Sequence, residues 1–142
     1  MGKLTLRQDN NAKTLSFNLL DNNGLITTAI YKELKQHLAT QDMVRLSLHT
    51  EAKDLTQSMI IAITNNAIIQ QHKNQFKDKI YHIIEGEIEF DLLGGEKILA
   101  KTNEIFKLGK DTFASIKSIT DISIYNEIVS GPFQKADTIY KK

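Results

Sequence analysis

The feature that most constrains this chain is a change of hydrophobic period near residue 42. Before it, Ile26, Ile30, Leu34 and Leu38 recur every four positions, while Lys32, Glu33, Lys35 and Gln36 take the other side. That spacing predicts one amphipathic helix lying on a core. After Gln41-Asp42 the period falls to two and stays there. Short β-rich runs follow at spacings near ten residues: Met43 to His49, Ser58 to Thr64, Ala67 to Gln71, Lys79 to Ile84, Glu87 to Leu93, Lys97 to Lys101, Ile105 to Leu108, Phe113 to Ile116 and Ile122 to Val129. Asn65-Asn66 and Glu85-Gly86 break the chain between runs, and Gly94-Gly95 predicts a tight hairpin. Upstream, Leu4 to Arg7 and Leu15 to Leu20 flank Asp9-Asn10-Asn11 and read as a further hairpin. This rhythm specifies an all-β sandwich or barrel and excludes alternating β-α units. Lys135 to Lys142 reads as a loose tail.

Composition narrows the function classes. The 142 residues make one domain, and hydrophobic and charged contents of 41% and 25% exclude intrinsic disorder. A net charge of +1 gives no global field toward nucleic acid or an anionic membrane. Without cysteine the chain has no disulfide, thiolate metal site or cysteine nucleophile, which fits a cytoplasmic location. Apolar stretches such as Met59 to Ile63 and Ile80 to Ile84 fall far short of the ~20 residues a membrane helix needs. Met1-Gly2-Lys3 is expected to open neither a signal peptide nor a myristoylation site, since no apolar region follows and Leu6 replaces the required Ser or Thr.

Sharp catalytic motifs are missing: there is no Gly-rich phosphate loop, nucleophile elbow, H-E-x-x-H pair or EF-hand loop. His37, His49, His72 and His82 have no zinc-like spacing, so a metal would need ligands from distant strands. Glu85, Glu87, Glu89 and Asp91 alternate with Ile88, Phe90 and Leu92, as in the wet face of a half-buried strand.

Three stretches carry a family resemblance. They are Arg45-Leu46-Ser47-Leu48-His49, Leu55-Thr56-Gln57-Ser58-Met59-Ile60-Ile61-Ala62, and Glu127-Ile128-Val129-Ser130-Gly131-Pro132-Phe133. Between them His72-Lys73-Asn74, four residues, Lys79, six residues and Gly86 keep the spacing of a first cupin motif without a gap. The order resembles the WbuC-type family of small cupins linked to surface-polysaccharide gene clusters, over about two thirds of the chain. The resemblance implies a small antiparallel cupin barrel (a double-stranded β-helix, jelly-roll-like) over residues 43–134. An N-terminal hairpin and helix over 1–42 would pack on it, with the tail at 135–142.

The departures bear on function. Where a metal-binding cupin has His, His and Glu, this chain has His72, Asn74 and Lys79, and Phe113 or a neighbour stands where a fourth His belongs. Divalent metals want imidazoles and carboxylates, so no metal or other cofactor is expected. The resemblance instead brings His72, Asn74, Lys79 and Tyr81 into the barrel mouth, with Phe113, Arg45, His49 and Glu127 as further lining. The expected ligand is small, polar or anionic, and sugar-related. Metal-free cupin epimerases of nucleotide-linked deoxysugars use such a set, and His72, Lys79 and Tyr81 are the catalytic candidates if this chain is an isomerase or epimerase. Two further readings stay open: a metal held by His49, His72 and Glu127, and a scaffold without pocket chemistry. Bland roles stand beside these: a hydrogen-bonded His72, an exposed Lys79, core aromatics at Tyr81 and Phe113, and an Arg45–Glu127 ion pair. Apolar faces at Ile60, Ala62, Ile68 and Ile80 suggest a homodimer.

Overall fold

In the computed structural model, which describes residues 4–141, the period-two runs form two facing sheets and the period-four segment covers the back of one. Strands β1 (Leu6–Gln8), β2 (Leu15–Leu19), β3 (Met43–Ser47), β4 (Thr56–Thr64), β6 (Lys79–Glu85), β9 (Ile105–Leu108) and β11 (Ile122–Ser130) build a seven-stranded sheet in the order β1-β2-β3-β4-β11-β6-β9. Strands β5 (Ile69–Asn74), β7 (Glu87–Leu92), β8 (Lys97–Lys101), β10 (Ala114–Ser118) and β12 (Thr138–Tyr140) build the second, in the order β12-β5-β10-β7-β8. One helix, α1 (Thr28–His37), joins β2 to β3. Among the described residues no helix is long and apolar enough to cross a membrane.

The alternation decides where the cores sit. On β4, Ile61 and Ile63 face the space between the sheets, together with Tyr81, Ile83, Ile88, Phe90, Ile116 and Tyr125. Ile60 and Ala62 face the other way, beneath Leu34 and Leu38 of the α1 segment and beside Val44, Leu46 and Ile124. The run from Met59 to Ile63 is continuously apolar because this strand is covered on both faces. Burying Leu34 contributes roughly 1.5–3 kcal/mol, which anchors a ten-residue helix whose N-cap Thr27 makes no side-chain capping bond. Lys35 adds an ion pair to Glu85 at 3.0 Å.

Three expectations change. The N-terminal hairpin does not lie on the barrel but extends the seven-stranded sheet, because β2 pairs with β3. That pair is parallel, the consequence of an α1 crossover between its strands. Residues 135–141 are not loose: a 3-10 turn (Lys135–Asp137) leads into β12, which pairs with β5 at Thr138↔Asn74, Ile139↔Lys73 and Tyr140↔His72. Ile60 and Ala62 are 3% and 0% exposed and offer no dimer face, whereas Ile68 and Ile80 remain exposed. Met1-Gly2-Lys3 and Lys142 lie outside the described residues.

Of the carboxylate row, Glu85 and Glu89 meet lysines, and Glu89 is mostly buried rather than a solvated side chain. Glu89 receives Lys117 at 3.5 Å and Lys97 at 3.8 Å, while Ile88 and Phe90 point into the core. At the other end of the barrel, Gly131 runs so close to the preceding loop that a Cβ there would lie 1.6 Å from the Asp54 carbonyl oxygen. Gly131→Ala is therefore expected to destabilise the fold by roughly 1–3 kcal/mol in denaturant unfolding. Gly109→Ala, whose nearest new neighbour would be Thr112 Oγ1 at 3.8 Å, should leave the midpoint nearly unchanged.

Candidate functional site at the barrel mouth

Along the barrel axis the interior changes from apolar to polar, and the polar end opens into a cavity of about 380 Å³. Strand β3 supplies Arg45 and Ser47, with His49 just beyond its end; β5 supplies Asn74, β6 supplies Lys79 and β11 supplies Glu127 and Val129. Lys77, Phe133, Gln134 and Thr138 close one wall. Five of the eight residues expected in the mouth therefore line the cavity: Arg45, His49, Asn74, Lys79 and Glu127.

The lip is built by local hydrogen bonding. Asp54 Oδ2 accepts the Thr50 N–H at 2.9 Å, the Thr50 hydroxyl at 3.0 Å and the Glu51 N–H at 3.2 Å. The backbone N–H bonds from Glu51 and Thr50 hold its carboxyl below the usual range. The buried Gln57 amide donates to the carbonyls of Glu51, Ala52 and Asp54 at 3.2, 3.2 and 2.9 Å. From the other side, Gly131 N–H reaches Leu55 O at 2.6 Å and Phe133 N–H reaches Ala52 O at 2.7 Å. The Gly-Pro-Phe ending and the Gln57 stretch thus meet at one lip, beside the Arg45-to-His49 stretch.

His49 continues the sheet with its side chain. Leu48 N–H already donates to Ser58 O at 2.8 Å, and Ser58 N–H donates to His49 Nδ1 at 3.1 Å. Nδ1 also lies 3.2 Å from Ser58 O, so the ring closes on both backbone groups of that residue. Burial lowers the His49 pKa, against the opposing pull of Ser58 and Asp54.

Lys79 and Glu127 form the polar centre of the mouth. Their charged atoms are 3.8 Å apart and their side chains only 12% and 13% exposed. They sit diagonally on paired strands, since Glu127 is opposite Tyr81 and Lys79 opposite Val129. Lys79 is therefore not a solvated surface lysine, and Glu127 has Lys79 rather than Arg45 as its partner. Among the described residues Arg45 forms no ion pair, and its buried Nε has no hydrogen-bond partner. Lys77 is tied down instead, donating to Pro132 O and lying 3.8 Å from Asp137.

The remaining candidates are placed differently. Asn74 lines the cavity, but its Oδ1 accepts the N–H groups of Phe76 and Lys77 at 2.9 Å and so serves a turn. His72 lines only a neighbouring cleft of about 10 Å³, with Asn74, Lys77 and Lys79, barely room for one water. Its Nδ1 lies 2.9 Å from Gln70 O, an acceptor, so Nδ1 carries the proton and Nε2 the lone pair. Burial depresses its pKa; Lys79 and Arg45 lower it further, while the Gln70 bond and Glu127 oppose them.

Tyr81 belongs to the core below the cavity, fully buried between Phe90 and Tyr125, with ring centroids 4.9 and 5.8 Å away. Burial, reinforced by Glu127, pushes its phenol well above the ordinary value. The Glu127 carboxylate acts on that hydroxyl electrostatically without normal hydrogen-bond geometry. Phe113 is on the outside: Ala114 takes the inward position opposite His72, and the Lys73 ammonium sits 4.8 Å from the Phe113 ring centroid. One-residue alternation makes that difference.

Metal ligation does not fit these residues. Among the described residues no group of three or more His, Cys, Asp or Glu is placed to hold a metal ion. His49, His72 and Glu127 are consequently not gathered into a ligand set, Asn74 spends its oxygen on a turn, and the Lys79 ammonium occupies the centre. The sequence assigned no separate role to Ser47, Gln57, Lys77, Phe133 or Thr138, all cavity-lining. Gln57 and Phe133 were signalled by the family-like stretches; Ser47, Lys77 and Thr138 carried no signal beyond polarity.

A two-sheet barrel with its polar end open is the architecture of the cupins, and known structures place the chain there. A double-stranded β-helix protein from Klebsiella pneumoniae matches 85% of this chain and 99% of its own, with TM-score 0.65 and 11% identity. KdgF from Halomonas sp. matches 67% and 83%, with TM-score 0.57 and 17% identity. A cupin superfamily protein from Desulfitobacterium hafniense matches 62% and 76%, with TM-score 0.55 and 15% identity. No protein-family model matches the chain, and no curated protein matches it. The chain has the cupin fold.

Two histidines, His49 at the mouth and His72 in the cleft beside it, set a pH dependence. Both pKa values are lowered in the folded protein from an ordinary value of 6.5. Above pH 6.5 neither state is protonated there, and the histidines' contribution to stability is complete. As pH falls through 6.5 the unfolded chain takes up protons that the folded one refuses, so stability declines until the lowered folded pKa is passed. The melting temperature is expected to fall between pH 7 and 5, and His72→Asn should flatten that slope in a thermal-shift series.

Proposed function

We propose that this chain is a metal-free cupin domain that binds a small polar or anionic, sugar-related ligand at the barrel mouth. One observation carries the reading. The cavity wall combines a nearly buried Lys79–Glu127 pair with Arg45, Ser47 and His49, in a concave site of ligand-binding size. Ammonium and guanidinium groups hold anionic oxygens, and a carboxylate accepts hydroxyl protons. The WbuC-like stretches support the same reading, since all three contribute to this one mouth. They also favour a role in bacterial surface-polysaccharide synthesis, a cytoplasmic location and a homodimer.

A second reading, a metal-independent sugar isomerase or epimerase, is favoured by His72. Its Nε2 lone pair and depressed pKa give a neutral base beside Lys79. The cleft is narrow, so the substrate would have to reach His72 past Asn74 and Lys79.

Elemental analysis of tag-free protein, after incubation with Zn, Fe, Mn and Ni and desalting, is expected to show no stoichiometric metal; a stoichiometric metal would overturn the metal-free reading. In a thermal-shift screen of sugars, sugar acids and nucleotide-sugars, a binding compound is expected, and Lys79→Met should weaken it about 10-fold or more. Turnover that His72→Ala abolishes without changing affinity would establish the isomerase instead.

A further inference from the structure

The six charged side chains that line the cavity, Arg45, Lys77 and Lys79 against Asp9, Glu51 and Glu127, balance in number but not in pairing. Lys79 is matched by Glu127, Lys77 by Asp137, and Glu51 by Lys53 at 3.3 Å. Asp9 sits at the outer lip, where its Oδ1 accepts the Asn11 N–H at 3.0 Å. Among the described residues Arg45 is the cavity-lining cation that makes no ion pair, and its buried Nε has no protein acceptor. A half-buried guanidinium left in this way is poorly compensated, because a charge removed from water needs a partner. The rest of the wall has a different character. Glu127 accepts hydrogen bonds and repels anions, Ser47 has a hydroxyl, and His49 contributes an imidazole.

Building on the sugar-related reading above, we propose that the ligand is a hydroxylated monocarboxylate whose carboxylate is held by Arg45. The one cavity cation without an ion-pair partner matches one negative charge. The planar guanidinium matches a planar carboxylate, and Glu127 takes the hydroxyl groups further along the chain. A dianionic phosphate ester would bring a second negative charge up to Glu127, where the one further cation, Lys79, already faces that carboxylate at 3.8 Å.

Isothermal titration with sodium gluconate, glucose and glucose 6-phosphate tests this. Gluconate should bind about 10- to 100-fold more tightly than glucose, the range of one charge-assisted contact, and glucose 6-phosphate should bind no better than gluconate. Arg45→Gln should bring gluconate down to the affinity of glucose, with the melting temperature confirming that the variant is folded. Arg45→Lys, which keeps the charge but loses the fork, should fall between. Equal binding of gluconate and glucose, or a preference that survives Arg45→Gln, would overturn the carboxylate anchor while leaving a sugar-binding mouth standing. Tighter binding of glucose 6-phosphate would overturn it in favour of a phosphate site. Failure of all three probes would overturn this inference, and if no compound of the wider screen binds either, the sugar-related reading falls with it.

Discussion

The structure depends on β11 being held from both sides. This nine-residue strand pairs with β4 through its whole length and with β6 through most of it. Because both neighbours fix its register, its inward residues can serve opposite ends of the barrel. Tyr125 seals the apolar core, and Glu127, two residues on, is charged. A one-residue slip would put Asn126 in the core and Glu127 under solvent. The Lys79–Glu127 pair belongs to the same register, since β6 brings Lys79 up diagonally. Its separation of 3.8 Å makes a charge contact without a tight hydrogen bond, leaving both groups free to meet a ligand.

Around that pair the mouth is assembled by groups that satisfy backbone rather than one another. His49 replaces a missing ladder bond to Ser58, Gln57 collects three loop carbonyls, and Asp54 gathers three donors. Asn74 closes the turn after β5. Such bonds fix the lip without using up Arg45, Lys79 or Glu127. The chemistry available to a ligand is what remains after the loop has been satisfied.

Alternation and turn signals made most of the fold legible. The helix, the Gly94-Gly95 hairpin and the run Ile105–Leu108 follow from period and turn residues alone. Other features depend on partners in space. Period two says that Phe113 and Ala114 face opposite ways, but not which faces inward; pairing of Ala114 with His72 decides it. Ile60 and Ala62 looked like an open face because their cover comes from a helix about twenty residues upstream in the chain. The run Thr138–Tyr140 is too short to announce a strand and owes its order to the free edge of β5. At the site, the polar residues were identifiable by family-like spacing, whereas the separation of His72 into its own cleft was not. Nor was the exchange of Arg45 for Lys79 as the partner of Glu127.

The placement of β11 also fixes the order in which the molecule can come together. Strands β4 and β6 are both made before the strand that belongs between them, since β6 ends at Glu85 and β11 begins only at Ile122. Strand β5 waits likewise, for β10 on one side and β12 on the other. A ribosome-bound chain of this sequence would therefore hold the two halves of its larger sheet apart, edges open, until β11 follows. Closure has to await β11, and pairing across such sequence distances is slow. Until then the facing edges of β4 and β6 stay unpaired, a template for pairing with another chain.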